Sequence, residues 1–470
     1  MAKGRPKVPV ILVQFPDLMF EGDPNSFFNR FCNGSDDASE DYYATIGSKG
    51  PVAQYFSQQS DGQFVPEFGI IGPVTLPRSY SYYGQDASNT VTDIHFTDFY
   101  RDALRLAIEG GADLDAYDNN RDGIIDFVFF IYAGEGQNAY GSLNECIEDG
   151  WPEKANLIWP KESAYRFTVW VNDGLDARSL TFGGVGCTNE LYDESVDGIG
   201  TMCHELSHGL GLPDFYDQNY VAFGMDYWDL MDAGCYCQSG MCPSDYSAYE
   251  RDALGWRSLE EMQPAEPLSL TLLPMERGGR GIKLVNPANP DEYYILENRQ
   301  SLDFDTYLGW KWDEFRMLYG PNKGLMVTHV DYSANFWRNN EVNNVVDHQR
   351  ITLLPADDEL IPSAEILPDD YIPSILGDLY PGLKRVTSIP SSRFNLFTGG
   401  TLDAVVSDIC QNDDLSLTLT LSSSECSGLQ PITTEGSSSS VAAFYDLTGR
   451  RIEHPCKGLY IRSGRKVLLP

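Results

Sequence analysis

No apolar run in the 470-residue chain approaches the ~18 residues that a bilayer-spanning helix needs, so no membrane span is expected. Positive charge is also scarce. The 33 Lys and Arg stand against 69 Asp and Glu, a net charge of −36. A surface of that sign repels phosphate backbones and excludes nucleic acid as a partner. It suits calcium uptake and solubility outside cells, although a well-solvated surface accounts for it equally. Ten cysteines are too few for a disulfide scaffold in a chain of this length. The close trio Cys235, Cys237 and Cys242 fits no familiar structural zinc spacing and leaves open a disulfide pair or a set of metal ligands. Solenoid-type repeats are absent. The first residues, Met1 to Lys7 and then Val8-Pro-Val-Ile-Leu-Val-Gln-Phe15, imitate a signal peptide. The apolar run is short and no small-residue cleavage site follows, so a buried first strand is the better reading. An exported form would need a signal peptide that this chain does not show.

The length suits two or three domains. The first half mixes periods. Residues 8–15 read as a buried strand, 48–56 as helix or turn, 68–76 as strand, turn, strand, 96–108 as an amphipathic helix, 124–132 as a central strand, 198–210 as a helix and 247–254 as a shorter one. From about residue 257 short strand-like runs recur, at 268–273, 281–285, 293–297, 325–330, 351–354 and 415–421, separated by turn residues. This predicts an α+β catalytic domain over 1–256 and a β-rich, sandwich-like domain over 257–425. A Ser/Gly/Thr-rich linker over 426–440 then leads to a small β module over 441–470, with turns at Thr448-Gly449 and Ser463-Gly464.

The most informative segment is His204-Glu205-Leu206-Ser207-His208-Gly209-Leu210-Gly211-Leu212-Pro213-Asp214. Residues four apart share one face of a helix, so His204 and His208 can reach one metal. Glu205 is offset around the helix, where a carboxylate can take a proton from a water that zinc has activated. Gly211 permits the left-handed stop that turns the chain back. Asp214, three residues further on, supplies a third ligand, with Asp217 the alternative. The string HExxHxxGxxD is the metzincin long motif with Asp in place of the third His. Downstream, Trp228-Asp-Leu-Met231-Asp-Ala-Gly234 places Met231 as the methionine of a tight turn beneath such a site. Tyr236 is a candidate donor to a tetrahedral oxyanion.

With these residues the chain resembles the M6 peptidases, the immune inhibitor A family. The likeness includes Val8–Asp17, Tyr55–Phe64, Ile158-Trp-Pro160, Gly198–Asp217 and the Met231 segment, and continues at Glu292–Arg299 and Gly324–Asp331. The resemblance implies a secreted zinc endopeptidase acting on proteins or peptides. It supports His204, His208 and Asp214 as ligands and Glu205 as base. Members are often made with a signal peptide and a propeptide, and neither is recognisable in this sequence. Ala443–Ile452 and Lys457–Leu468 resemble the sorting modules of Bacteroidetes type IX secretion, implying export machinery as a partner and a secreted or cell-surface location.

Asp118-Asn-Asn-Arg-Asp122-Gly123-Ile-Ile-Asp126 matches the first part of an EF-hand loop. Asp118, Asn120, Asp122 and Asp126 are candidate calcium ligands, although Phe129 stands where a full EF-hand carries Glu. His329 and Asp331 share a strand and read as a satisfied structural histidine or, alternatively, a second metal site. The rival to an enzyme is a non-catalytic, calcium-stabilised surface-binding protein on a peptidase fold. The presence of Glu205 argues against it.

Overall fold

The structure, a computed structural model, describes residues 2–34, 47–163, 166–173, 176–192, 195–219, 221–308, 323–362 and 374–424, and strand residues 444–445, 451–452, 458–462 and 465–469. Residues Met1–Cys426 make one compact unit and Ser427–Pro470 another. The strands of the first part are β1 (Lys7–Gln14), β2 (Glu67–Thr75), β3 (Ile124–Ile125), β4 (Val128–Glu135), β5 (Lys161–Ser163), β6 (Phe167–Asp173), β7 (Asp176–Phe182), β8 (Val185–Tyr192) and β9 (Ser195–Val196).

The main sheet runs β2-β1-β4-β8-β5. Its first four strands are parallel, and β5 is an antiparallel edge strand. The continuous apolar run of β1 has a direct cause: both faces of the sheet are covered. Val8, Val10 and Leu12 pack in one core with Met202, Cys203 and Leu206 of the helix Ile199–Leu210. The alternate residues Ile11 and Val13 pack on the other face with Phe99, Ala103 and Leu104 of the helix Phe96–Glu109.

Two expectations change. Residues 68–76 are not strand, turn, strand but the single strand β2. It follows β1 along its length, with a register shift between Ile11 and Val13. As an edge strand β2 tolerates Pro73, whose missing N–H needs no partner. The strand expected over 124–132 divides into β3, which pairs with β7, and the central β4. The strands β5 to β8 went unread in the sequence, although Phe167-Thr-Val-Trp-Val171 alternates and is followed by Asn172-Asp-Gly174, a hairpin signal.

The later strands are β10 (Glu260–Met262), β11 (Leu268–Leu272), β12 (Ile282–Leu284), β13 (Glu292–Arg299), β14 (Gly324–Asp331), β15 (Ile351–Leu353), β16 (Val405–Gln411) and β17 (Leu417–Ser422). A five-stranded sheet β10-β12-β13-β14-β15 and a three-stranded sheet β11-β17-β16 enclose one core, with Leu284, Leu296 and Val327 meeting Leu417, Leu419 and Leu421. The opposite face of the larger sheet carries Tyr293, Ile295, Met326 and Val330, which join the core of the helix Ile199–Leu210. The change of character near residue 257 is therefore not a break in packing. The second unit is an antiparallel sheet of β18 (Phe444–Tyr445), β19 (Arg451–Ile452), β20 (Gly458–Arg462) and β21 (Arg465–Leu469), in the order β19-β18-β20-β21. The expected linker 426–440 and the turns at Thr448-Gly449 and Ser463-Gly464 lie outside the described residues.

Candidate metal centre

The helix Ile199–Leu210 ends at Gly211, which adopts a left-handed φ of 106°. The chain can then double back, and Asp214 returns to the face of the helix that carries both imidazoles. Asp214 Oδ1 lies 3.1 Å from His204 Nε2 and 3.2 Å from His208 Nε2. The ligand atoms of His204, His208 and Asp214 gather within 4.8 Å of one another. Each Nδ1 is engaged on its far side, His204 with the Leu230 carbonyl at 2.9 Å and His208 with the Leu212 carbonyl at 2.8 Å. With its Nδ1–H donated to a carbonyl, each ring presents Nε2 as a lone pair, which is the tautomer a metal requires.

These residues fit a divalent cation. Asp214 Oδ1 is sheltered from solvent and has no hydrogen-bond partner, although it faces two ring nitrogens. Burial opposes charge on His208, but the Asp214 carboxylate outweighs it and pushes the imidazole up to about 10. Burial would raise Asp214, yet the His208 and His204 imidazoles hold its carboxyl well below the usual carboxylate range. The three groups thus call for positive charge between them, and two imidazoles with one carboxylate are an ordinary zinc donor set. Glu205 is buried beside them. Burial raises its carboxyl above the ordinary value, and the two imidazoles oppose that shift.

The structure brings Asp214, not Asp217, to the imidazoles. The Asp217 carboxylate instead accepts from the backbone N–H groups of Asn219, Val221 and Ala222 and shapes the next turn. Met231 is fully buried in the core that holds the helix. Its carbonyl accepts from the Phe215 N–H at 2.8 Å, while the preceding carbonyl, Leu230, accepts from His204. The turn at Met231 therefore steadies both a ligand and the residue after another. Tyr236 is 41 % exposed and stands in the wall of a cleft of about 700 Å3 above the three ligands, with Glu162 of β5, Tyr227 and Trp337 also lining it.

Sequence reasoning missed Asn340. Its amide oxygen accepts from the Asp214 N–H at 2.6 Å and its Nδ2 donates to Asp214 Oδ2 at 2.6 Å. Asn343 Nδ2 donates to the Phe215 carbonyl at 2.7 Å, and Asn344 Oδ1 accepts from the Gln218 N–H at 2.9 Å. One asparagine-rich segment thus clasps the whole ligand loop from 126 residues away. The only sequence signal was the cluster Asn339-Asn340 and Asn343-Asn344 itself.

The loop at 118–126 is exposed over Asn119 to Gly123. Asp118 accepts from the N–H groups of Asp122 and Gly123, and Asp122 accepts from the N–H of Ile124. Among the described residues, its carboxylates do not converge as those of the candidate zinc site do. His329 Nε2 donates to the Glu292 carboxylate at 3.2 Å, and the ring stacks on Tyr294 and Phe397. Asp331 pairs with His348 and Arg350. That is the structural-histidine arrangement, not a metal site. Cys235, Cys237 and Cys242 are free thiols. Cys237 Sγ faces the Tyr227 carbonyl and Cys242 Sγ the Phe304 carbonyl, so the pair and the metal trio left open by the sequence do not form.

Residues 2–257 match the family described as Immune inhibitor A peptidase M6, catalytic domain. Immune inhibitor A of Bacillus thuringiensis subsp. alesti is 27% identical over 286 residues, 52% of this chain and 39% of the relative. Pre-pro-metalloprotease PrtV of Vibrio cholerae serotype O1 (strain M66-2) is 25% identical over 288 residues, 54% of this chain and 30% of the relative. The alignment therefore spans well under half the length of either relative. The family match contains the histidine pair, Glu205, Asp214 and the turn at Met231 and takes in more than half of the 470 residues: the chain belongs to the immune inhibitor A peptidase M6 family.

Proposed function

We propose that the chain is a zinc-dependent endopeptidase that hydrolyses proteins or peptides, of the metzincin type, working outside the cell or at its surface. One observation carries the reading: two Nε2 atoms and a partnerless, buried Asp214 oxygen converge at the floor of an open cleft. His204, His208 and Asp214 would hold the metal. When bound, zinc supplies Lewis acidity, polarising a carbonyl and lowering the pKa of a water to about 7. Glu205, buried one residue from the first ligand, takes the proton of the attacking water and delivers it to the leaving amine nitrogen. Tyr236, in the cleft wall, donates to the developing oxyanion. The edge strand β5 borders the cleft, and an extended substrate backbone can add to its open side, which aligns a peptide past the three ligands. The acidity of the surface and the resemblance of the last residues to sorting modules support export. Asp118, Asn120, Asp122 and Asp126 are proposed as a peripheral calcium loop.

Replacing Glu205 tests this. Glu205→Ala should lower casein hydrolysis by about 100- to 10,000-fold, the usual worth of a positioned base. Its zinc content, read by elemental mass spectrometry, should equal that of the parent. Full activity in the variant removes Glu205 from the mechanism. Absence of stoichiometric zinc in the folded parent removes the site. A zinc-loaded parent with no activity on casein, gelatin or peptides favours the non-catalytic binding protein.

A further inference from the structure

A second convergence of donors lies away from the cleft. Asp245, Glu276 and Asp305 bring carboxylate oxygens within 4.8 Å of one another. They come from three separate places: the approach to the helix Ala248–Ala253, the turn Met275–Arg277 and the turn Asp303–Tyr307. Asp245 is 1 % exposed and Asp305 fully buried. An acidic cluster alone proves nothing, but these oxygens are orphaned. Both Glu276 oxygens and Asp245 Oδ2 are sheltered from solvent without a hydrogen-bond partner. A buried carboxylate left in that state costs several kcal/mol unless a cation or a proton meets it.

The neighbouring charges do not settle the debt. Arg299 is committed to Asp305, donating through Nε at 2.8 Å and Nη2 at 2.9 Å, and reaches Glu297 at 3.4 Å. Arg251 donates to Gln59 and the Tyr246 carbonyl. Four carboxylates, Asp245, Glu276, Glu297 and Asp305, thus surround two guanidinium groups, a surplus of two negative charges before the adjoining buried Asp229 and Glu250 are counted. Burial and the neighbouring Asp245 and Asp305 raise the Glu276 carboxyl well above its ordinary range, as expected of a group facing like charge without its counter-ion.

We propose that Asp245, Glu276 and Asp305 hold a structural calcium ion at the junction of the catalytic region and the β-rich segment. The donors are oxygen only, which selects a hard cation over zinc. Their carboxylate oxygens are sheltered from solvent, which suits calcium better than magnesium, an ion that keeps several of its waters. The ion supplies the two missing charges and ties Asp245, within the family-matched stretch 2–257, to Glu276 and Asp305 beyond it. The assignment does not depend on peptidase activity.

The test uses the full zinc-loaded chain carrying Asp122→Ala, which removes the exposed 118–126 loop as another source of calcium. After desalting, elemental mass spectrometry should find one calcium per chain, and millimolar calcium should raise Tm by several degrees once the ion has been stripped and restored. Adding Glu276→Gln should abolish both while leaving one zinc per chain. An Asp122→Ala chain that holds no calcium, or holds magnesium instead, overturns the proposal; a buried pair sharing a proton gives the first of these results. A double variant that keeps both the calcium and the Tm response overturns it too. If the double variant does not fold, the single variant decides.

Discussion

Asn340 shows how one side chain far along the sequence can govern a metal site. It fixes Asp214 through both the N–H and the carboxylate, leaving Oδ1 as the free donor. Asn340 also sits at a φ of 57°, so alanine there would add backbone strain. Asn340→Gly is the cleaner probe, because glycine keeps that conformation. Loss of an outer partner of a ligand usually costs 10- to 100-fold in metal affinity, so about that loss is expected in a zinc competition titration. Unchanged affinity would show that the loop positions Asp214 without help. Asp197 offers a second residue-level prediction. Burial pushes its carboxyl up to about 7, against the pull of Thr188, Thr201 and the Gly198 N–H. In the unfolded chain it ionises near 3.9. Between these values the folded state keeps a proton that the unfolded state has lost, so stability falls as pH rises from about 4 to about 7 and stays lower above that. Asp197→Asn removes the dependence. The variant should gain on the parent by on the order of 2 kcal/mol between pH 5 and pH 8 in denaturant unfolding. An equal difference at both pH values would mean that Asp197 does not titrate there.

The helix Ile199–Leu210 was the most legible element, because its chemistry is local. Spacing of four puts two imidazoles on one face, and Gly211 in its left-handed cap was readable from residue type alone. What held the helix in place was not readable. A Cβ on Gly198 would lie 1.9 Å from the Gly240 carbonyl carbon, and one on Gly200 would lie 1.8 Å from the Cys235 carbonyl oxygen. The helix start is thus pressed against the backbone of the loop that follows Met231, with the Gly200 N–H donating to the Gly240 carbonyl at 2.8 Å. Neither glycine needs a positive φ, so composition gave no hint of this packing. Since backbone cannot yield as a side chain can, Gly200→Ala should destabilise by about 1–3 kcal/mol or more and weaken zinc binding. A variant with parental Tm and zinc affinity would contradict the contact. The strand β5 was missed for a different reason. β5 is three residues long, too short for any period to show, yet it forms the sheet edge beside the cleft. Its role comes from its place next to β8 and not from its own sequence.

At the scale of the whole molecule, the recognisable family stretch ends at residue 257, but the structure that supports the site does not. The core around Met202, Leu206 and Met231 also contains Tyr293, Ile295, Met326, Val330 and Ile351. The ligand loop is clasped by Asn340, Asn343 and Asn344, and Trp228 Nε1 donates to Asp378 at 2.8 Å. The sequence did show the shift to short strands at this point. It could not show that alternate residues of β13 and β14 face different cores, because that depends on what covers each face of their sheet. A chain ended at residue 257 would expose the apolar patch that these strands cover and would free Asp214 from its clasp. It should therefore bind the apolar dye ANS, lose the cooperative thermal transition of the parent and bind zinc at least ten-fold more weakly, the lower bound set by loss of the Asn340 contact alone. Adding residues 258–424 as a separate chain should restore part of the zinc affinity if the interface is complete in that segment. A chain ended at 257 that unfolds cooperatively at the parental Tm with parental zinc affinity would make the first 257 residues self-sufficient, and the shared core a contact of no consequence for the site.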